Sequence, residues 1–451
     1  MTYLEAVALI KEIERKHDMM QIKYKGVSVW PLLRINVIDA ISGNNGTMKS
    51  TGASAVKQVL CTLFYYNPLN YLCKHKVWLF TAYERRKTIN GRKIQRVSGG
   101  VINAEPDTLV IEKPSPDQWS HPRREVPEKA IVSESWLLFM VHALAFLSKP
   151  FSIKLENEKL LRDVLAGYGL KFDYISSIKV LFSQKIVFDV VLALLPKPKK
   201  VIIECPYTIM GYLWSLHNHG IRVIELQHGV LNDKHYAYNS QFHSSVLYPD
   251  EICVFGENEY NYLTSRENHY CKAVHKTGLF YLELAKESFA KDVYLEYRGF
   301  FSTIILVAGQ RGYEEAMANY VKAAAESSPD CLFVYVPRSK DACLTFSQNN
   351  IIYRPGINIY EYMIWCDVHL TISSTTCLEC HYYHKPTIFY NYYDMSVNYY
   401  SKVLSERNGA IYTNDVKEFG VALKNVLTQK FEYKEFFTSD TIQKIREIIN
   451  E

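Results

Sequence analysis

The chain has 451 residues, 48% hydrophobic and 22% charged, with a formal net charge of +5. These are ordinary values for a globular protein, and the length exceeds what one core usually supports, so two domains are expected. A nucleic-acid-binding protein concentrates its basic residues more strongly, which argues against that class, while a mild positive excess suits anionic ligands or a lipid surface.

The opening segment, MTYLEAVALIKEIERKH, reads as an amphipathic helix over residues 1–17 without a signal peptide's apolar region, and the ten cysteines have no disulfide-rich spacing. A reducing cytoplasm is the expectation. Residues 22–31 read as a turn and strand, and 32–41 as a helix with Pro31 at its first position. Trp30-Pro31-Leu32-Leu33-Arg34 suits either core packing or the wall of an acceptor site. Asn44 to Lys57, small and polar, reads as a flexible loop. Val77–Thr81 and Thr108–Glu112 read as strands. Between them, the basic cluster Arg85-Arg86-Lys87, Arg92-Lys93 and Arg96 reads as a solvated loop, with a phosphate or membrane-surface contact as the alternative. Pro114 to Pro127 is a loop with four prolines. The longest apolar run, Trp136–Leu147, falls short of the roughly 20 residues that span a bilayer and reads as a buried or interface-lying helix. Residues 153–168 and 172–190 read as helices.

Val201 to Val230 is the most sharply written stretch, with strand Val201–Glu204, helix Tyr207–Asn218 and strand Arg222–Leu226. That is a βαβ unit. Ligands in open α/β sheets sit beyond the carboxyl ends of parallel strands, and here those ends carry Glu204-Cys205-Pro206 and Gln227-His228-Gly229. Strand Glu251–Phe255, a helix to Leu263 and strand Ala273–Lys276 continue the rhythm of a parallel sheet. Residues 286–300, charged and lacking an apolar strand, read as the linker between a domain over 1–285 and another over 301–451.

In the second half, strand Ser302–Ala308 runs into Gly309-Gln310-Arg311-Gly312 and helix Tyr313–Ser327. Strand Cys331–Val336 closes on Pro337-Arg338-Ser339. After a short strand Asn350–Tyr353 and helix Ile359–Trp365, strand Val368–Ile372 leads into Ser373-Ser374-Thr375-Thr376 and a helix over 377–383, then strand Thr387–Tyr390. The last helix, Ser439–Asn450, is expected to be capped by Ser439 and Asp440, with Ile442, Ile445, Ile448 and Ile449 on one face.

Several residues carry chemistry on type and position. The hydroxyl-rich turn 373–376 offers backbone N–H groups and side-chain donors to phosphate, and Thr376 with Glu379 equally forms a capping box. His228 is placed to donate to phosphate or to take a proton, beside Gly229, which permits close backbone approach. Glu204 and Glu225 compete with it as general base, and strand parity alone does not decide where Glu225 points. Arg311 is placed to neutralise a leaving group. Cys377, Cys380, His381 and His384 share a helix, but the first and last stand about 10 Å apart along the axis at roughly 1.5 Å per residue, too far for one ion. No metal site is expected. His217 and His219 close a helix before Gly220, where histidine suits the dipole.

Two βα-rich halves with a cleft between them make the GT-B arrangement, an α/β fold of two Rossmann-like domains. The segments LQHGV, CVFGENEYNYL, VHKTGL and HLTISSTTCLE resemble GT-B glycosyltransferases of bacterial capsule and lipopolysaccharide synthesis, nearest those that use cytidine-nucleotide donors to transfer Kdo, sialic acid or glycerol phosphate. The likeness covers roughly residues 200 to 400. It implies that Ser373, Ser374 and Thr375 hold the donor phosphate and that Glu379 binds ribose hydroxyls. Where those families often carry a His-Pro pair, this chain has Val336-Pro337-Arg338, leaving Arg338 as a phosphate contact. It further implies a metal-independent, inverting transfer of a sugar from a CMP-linked donor to a saccharide or lipid-linked acceptor, without a separate cofactor, in the cytoplasm or at the periphery of the inner membrane. The alternatives are a polyol-phosphate transferase or nucleotide-sugar epimerase of the same fold, or a non-catalytic GT-B scaffold.

Overall fold

The computed structural model describes residues 1–451 except 2, 43–59, 61, 63–65, 116–124, 233–234, 266–268 and 339–342. The loop expected at Asn44–Lys57 lies outside the described residues, as do Ser339 and the middle of the proline-rich loop. Two parallel sheets organise the rest. The first contains β1 (Val77–Ala82), β2 (Thr108–Lys113), β3 (Ile131–Ser133), β4 (Lys200–Ile203), β5 (Arg222–Leu226), β6 (Glu251–Val254) and β7 (Ala273–Lys276), in the order β7-β6-β5-β4-β1-β2-β3. The second contains β8 (Thr303–Ala308), β9 (Cys331–Val336), β10 (Ile351–Tyr353), β11 (Val368–Thr371), β12 (Thr387–Tyr390) and β13 (Ala410–Thr413), in the order β10-β9-β8-β11-β12-β13. Every residue of β8 and β9 is buried, which is why TIILVA and CLFVYV read as continuous apolar runs rather than alternating ones.

Register decides what meets at the strand ends. Ile203 pairs with both Phe80 and Glu225, so Thr81, Glu204 and the Gln227-His228 turn leave the first sheet along one edge. Ala308 pairs with both Val336 and Thr371, so Gly309, Pro337 and Ile372-Ser373 leave the second sheet along one edge.

The helix Phe280–Ser288 packs Tyr281, Leu282 and Ala285 into a core shared with Ile304 and Leu306 of β8. Within the expected linker, Tyr294 is buried and its hydroxyl donates to the Tyr362 carbonyl at 3.2 Å. The last helix, Thr441–Asn450, returns to the first sheet: Ile445, Ile448 and Ile449 join Val77, Leu79 and Val101, and Lys200 Nζ donates to the Ile448 carbonyl at 2.8 Å. Its start is not capped by Ser439 or Asp440 as expected. Asp440 lies in the left-handed region (φ 63°), and Glu283 Oε1 instead accepts from Thr441 N at 3.3 Å and Thr441 Oγ1 at 2.9 Å.

The largest correction concerns the basic cluster at 85–96. It is not a solvated loop but an antiparallel hairpin, Arg86–Ile89 with Arg92–Gln95, closed by Asn90 (φ 49°) and Gly91 (φ 74°). Asn-Gly is the strongest short-range hairpin signal, because both central residues must take positive φ. The hairpin is held by Arg86, whose buried guanidinium donates to Glu112 at 2.5 Å and to Glu128 at 2.9 Å.

Trp30 and Arg34 belong to the core. Both donate to the Glu14 carboxylate, at 2.9 and 2.6 Å, and Arg34 also donates to the carbonyls of Tyr236 and Asn239, fixing the segment that follows the Gln-His-Gly turn.

Candidate active site

At the carboxyl edge of the first sheet, His228 lies in a chain of hydrogen-bonding groups. Its Nε2 stands 3.2 Å from the Tyr207 hydroxyl and its Nδ1 3.3 Å from the Tyr238 hydroxyl. Tyr238 donates to Glu225 at 2.5 Å, and Tyr270 donates to the other oxygen of Glu225 at 2.6 Å. Burial pushes the Glu225 carboxyl up to about 8 against the pull of these two hydroxyls, so it is protonated at neutral pH. Burial, and then the positive charges of Arg85, His235 and Arg96, hold the imidazole well below its ordinary value. His228 is therefore neutral, with one nitrogen donating and the other accepting.

The two carboxylates weighed as bases do not open into the cleft. Glu225 is fully buried, and Glu204 is buried with Thr81 Oγ1 donating to its Oε1 at 2.9 Å and with Arg85 Nε forming an ion pair with its Oε2 at 3.0 Å. Glu204 orients Arg85. Gln227 is also structural: its side chain accepts from Phe255 N at 2.7 Å and donates to the Gly229 carbonyl at 2.8 Å, pinning the turn. A Cβ on Gly229 would meet nothing within 4 Å.

At the edge of the second sheet, the capping box does not form. Thr376 Oγ1 pairs with His369 Nε2 at 3.0 Å, and Ser374 Oγ accepts from Thr376 N at 3.4 Å. Ser373 is held through its carbonyl, which accepts from Tyr400 at 3.2 Å, leaving the hydroxyls of Ser373 and Thr375 without a hydrogen bond among the described residues. Next to this turn, Gly309 leaves room for the Glu314 carboxylate, whose Oε2 would stand 2.4 Å from a Cβ there and would have to shift. The same carboxylate accepts from Arg338 N at 2.7 Å and Tyr335 at 2.8 Å, tying the turn after Pro337 to the 309–314 turn. Pro337 is buried, Gln310 half-buried, and the side chains of Arg311 and Arg338 are exposed with no ion-pair partner among the described residues.

The two edges meet through Arg96. Its Nη1 donates to Glu379 Oε1 at 2.8 Å and to the Tyr360 hydroxyl at 3.2 Å, while Nη2 donates to the His228 carbonyl at 3.3 Å. Burial disfavours this guanidinium's charge, but Tyr360 and Glu379 more than offset it and keep it protonated. Glu379 thus reaches across the cleft rather than back to Thr376. Asn358, which donates to Thr88 O at 2.9 Å and the Tyr281 hydroxyl at 2.7 Å, adds a second tie between hairpin and second lobe.

The chain superposes on the UDP-GlcNAc 2-epimerase of Methanocaldococcus jannaschii with a TM-score of 0.51 at 12% identity, covering 83% of this chain and 98% of that one. It superposes on S. aureus MnaA, in a co-structure with UDP, with a TM-score of 0.50 at 12% identity, covering 83% and 95%. The fold is GT-B. No protein-family model matches the sequence, and no curated protein does. Within the GT-B frame, the two sheet edges described above are the facing walls of the cleft.

Among the described residues no three His, Cys, Asp or Glu side chains are grouped to hold a metal ion. His381 instead accepts from Lys434 N at 2.7 Å, and His217 sits between the Val246 carbonyl (2.9 Å) and Asp250 (3.2 Å). Arg85 and Arg96 were read only as part of a basic cluster, and Tyr207, Tyr238 and Tyr270 were not singled out. The signal that could have placed the two arginines is Asn90-Gly91, which turns the charged run between them into a hairpin. The tyrosines gave no signal, because they are brought to His228 by separate segments.

Proposed function

We propose that this chain is a nucleotide-sugar enzyme of the GT-B fold, and that its reaction is transfer of a sugar from a CMP-linked donor to a saccharide or lipid-linked acceptor. The observation that supports the reading is the Arg96 bridge, which ties the backbone carbonyl of His228 on the first lobe to Glu379, in the helix that follows the hydroxyl-rich turn on the second. On this reading Ser373, Ser374 and Thr375 bind the donor phosphate, Arg311 and Arg338 add positive charge, and Glu379 with Arg96 orients the ribose. His228 takes the proton of the acceptor hydroxyl as its oxygen bonds to the anomeric carbon, and the bond from that carbon to the phosphate oxygen breaks to release the nucleotide. Tyr238, donating to Glu225, offers its oxygen to the Nδ1–H of His228, which leaves Nε2, beside the Tyr207 hydroxyl, as the nitrogen that accepts the proton.

A second reading, a nucleotide-sugar epimerase using the same cleft, is favoured by the two superposed proteins, one a UDP-GlcNAc 2-epimerase and the other solved with UDP. Incubation with labelled CMP- and UDP-sugars, with and without a saccharide acceptor, separates them. Release of free nucleotide together with a labelled product only when acceptor is present supports transfer. An epimeric nucleotide-sugar formed without acceptor supports the second reading, and no turnover under either condition contradicts both.

A further inference from the structure

Helix Ser135–Leu147, SWLLFMVHALAFL, contains no acidic or basic side chain apart from His142. A helix apolar all round is ordinarily buried on every side. This one is not. Leu137 and Val141 pack into the core with Val132, Val187 and Phe188, but Phe139, Met140, Phe146 and Leu147 are exposed, the last two by 64% and 66%. At about 100° per residue these four fall within an arc of roughly 120° on the side away from the core. Phe151, 70% exposed just beyond the helix, extends the same end of the chain segment.

Lysines predominate around this end, with Asp173 acting electrostatically on Lys179. Lys149 Nζ lies 4.8 Å from the Phe146 ring centroid, and Lys179 Nζ donates to the Lys149 carbonyl at 2.7 Å. Lys154 follows, exposed. No carboxylate is ion-paired with any of the three among the described residues. A stripe of large apolar side chains ending in ammonium groups complements a bilayer whose phosphates carry negative charge, with the rings entering the acyl boundary and the lysines meeting the headgroups. A protein partner would meet unpaired cations beside the apolar stripe and would have to neutralise them. No helix among the described residues is long and apolar enough to cross a membrane, so contact of this kind lies on the surface.

We propose that the face formed by Phe139, Met140, Phe146, Leu147 and Phe151, with Lys149 and Lys179 at its end, docks on an anionic phospholipid bilayer. This does not depend on the catalytic reading and is measured without turnover. The test is flotation of the full chain with vesicles of phosphatidylglycerol and phosphatidylethanolamine, compared with pure phosphatidylcholine. Wild-type chain is expected to float with the anionic vesicles, Phe146→Asp/Leu147→Asp to lose at least tenfold in bound fraction, and Lys149→Glu/Lys179→Glu to lose about fivefold per charge, with added salt reproducing the second effect only. Phe146, Leu147 and Lys149 are exposed and Lys179 is part-exposed with one hydrogen bond to lose, so a cooperative melt within a few degrees of wild type is expected and identifies correctly folded variants. The proposal is overturned if the wild type floats with neither vesicle, if both folded double variants float like the wild type, or if the wild type is a dimer that Phe146→Asp converts to monomer, since the face would then be a seam between copies.

Discussion

The two walls of the cleft are built on opposite principles. On the first, nearly every polar side chain is already engaged: His228 between two tyrosines, Glu225 between two more hydroxyl bonds, Glu204 between Thr81 and Arg85. On the second, among the described residues, Ser373 and Thr375 keep their hydroxyls unbonded, and Arg311 and Arg338 extend without carboxylate partners. A wall that must move a proton needs its groups fixed and their protonation set beforehand, whereas a wall that must receive a phosphate needs donors left unsatisfied. Under the function proposed above, proton chemistry falls to the first lobe and anion binding to the second.

His228→Ala should break the contrast most severely. Turnover is expected to fall by about 10²–10⁴-fold, the range for loss of a positioned general acid or base, with nucleotide affinity changed by less than about threefold. Steady-state kinetics beside calorimetry measures both, and a variant that loses nucleotide affinity in proportion would move His228 to the binding wall.

Arg96→Ala tests the join between the walls. Removing the guanidinium leaves Glu379 buried without its ion partner, a change that costs about 3 kcal/mol after allowance for the part-exposed arginine. Urea unfolding should show that loss, and Arg96→Ala/Glu379→Gln should recover part of it. If the double variant is no more stable than the single one, the pair does not bridge the lobes.

Glu225 gives a smaller effect with a defined sign. Its folded value, about 8, lies above the ordinary carboxylate value of 4.5, so the stability it contributes is fully present below pH 4.5 and is lost as pH rises through 8. Glu225→Gln should remove a decline of up to about 1.4 kcal/mol per pH unit within that window. The difference between the two stability profiles isolates this carboxyl from Glu134 and Glu259, which burial raises to about 7. Parallel profiles would mean that Glu225 is ionised in the folded chain.

The mildest change is Tyr238→Phe, which removes one hydroxyl between Glu225 and His228. Turnover is expected to drop about three- to tenfold, the cost of a typical hydrogen bond, with its pH profile displaced. An unchanged profile would place the Glu225 side chain outside the function of His228.

Much of this contrast was legible in the sequence, and unevenly so. The second wall could be read almost residue by residue, because β8, β9 and β11 are continuous apolar runs whose ends are marked by Gly309, Pro337 and Ser373. The first wall yielded His228 and its strand but misplaced the neighbours. Glu225 was a candidate base because parity does not reveal which face of β5 the cleft lies on, and only the positions of Tyr238 and Tyr270 decide it. Gln227 was taken for a cleft residue, yet its partners are backbone groups of Phe255 and Gly229. The hairpin was misread because charge density outweighed Asn90-Gly91, although Arg86 is buried by two carboxylates that lie 26 and 42 residues away in sequence. Strand β13 and helix Phe419–Thr428 went unread, their apolar spacing being too short to stand out from the surrounding charged residues.

The division of labour is tested most directly by titrating CMP and UDP by calorimetry into three folded chains: wild type, His228→Ala, and Ser373→Ala/Ser374→Ala/Thr375→Ala. The expected result is that one of the nucleotides binds the first two with similar affinity and the third at least tenfold more weakly, since hydrogen bonds to a charged group contribute about 1.5–3 kcal/mol. Equal affinity in all three, with both nucleotides, would contradict it.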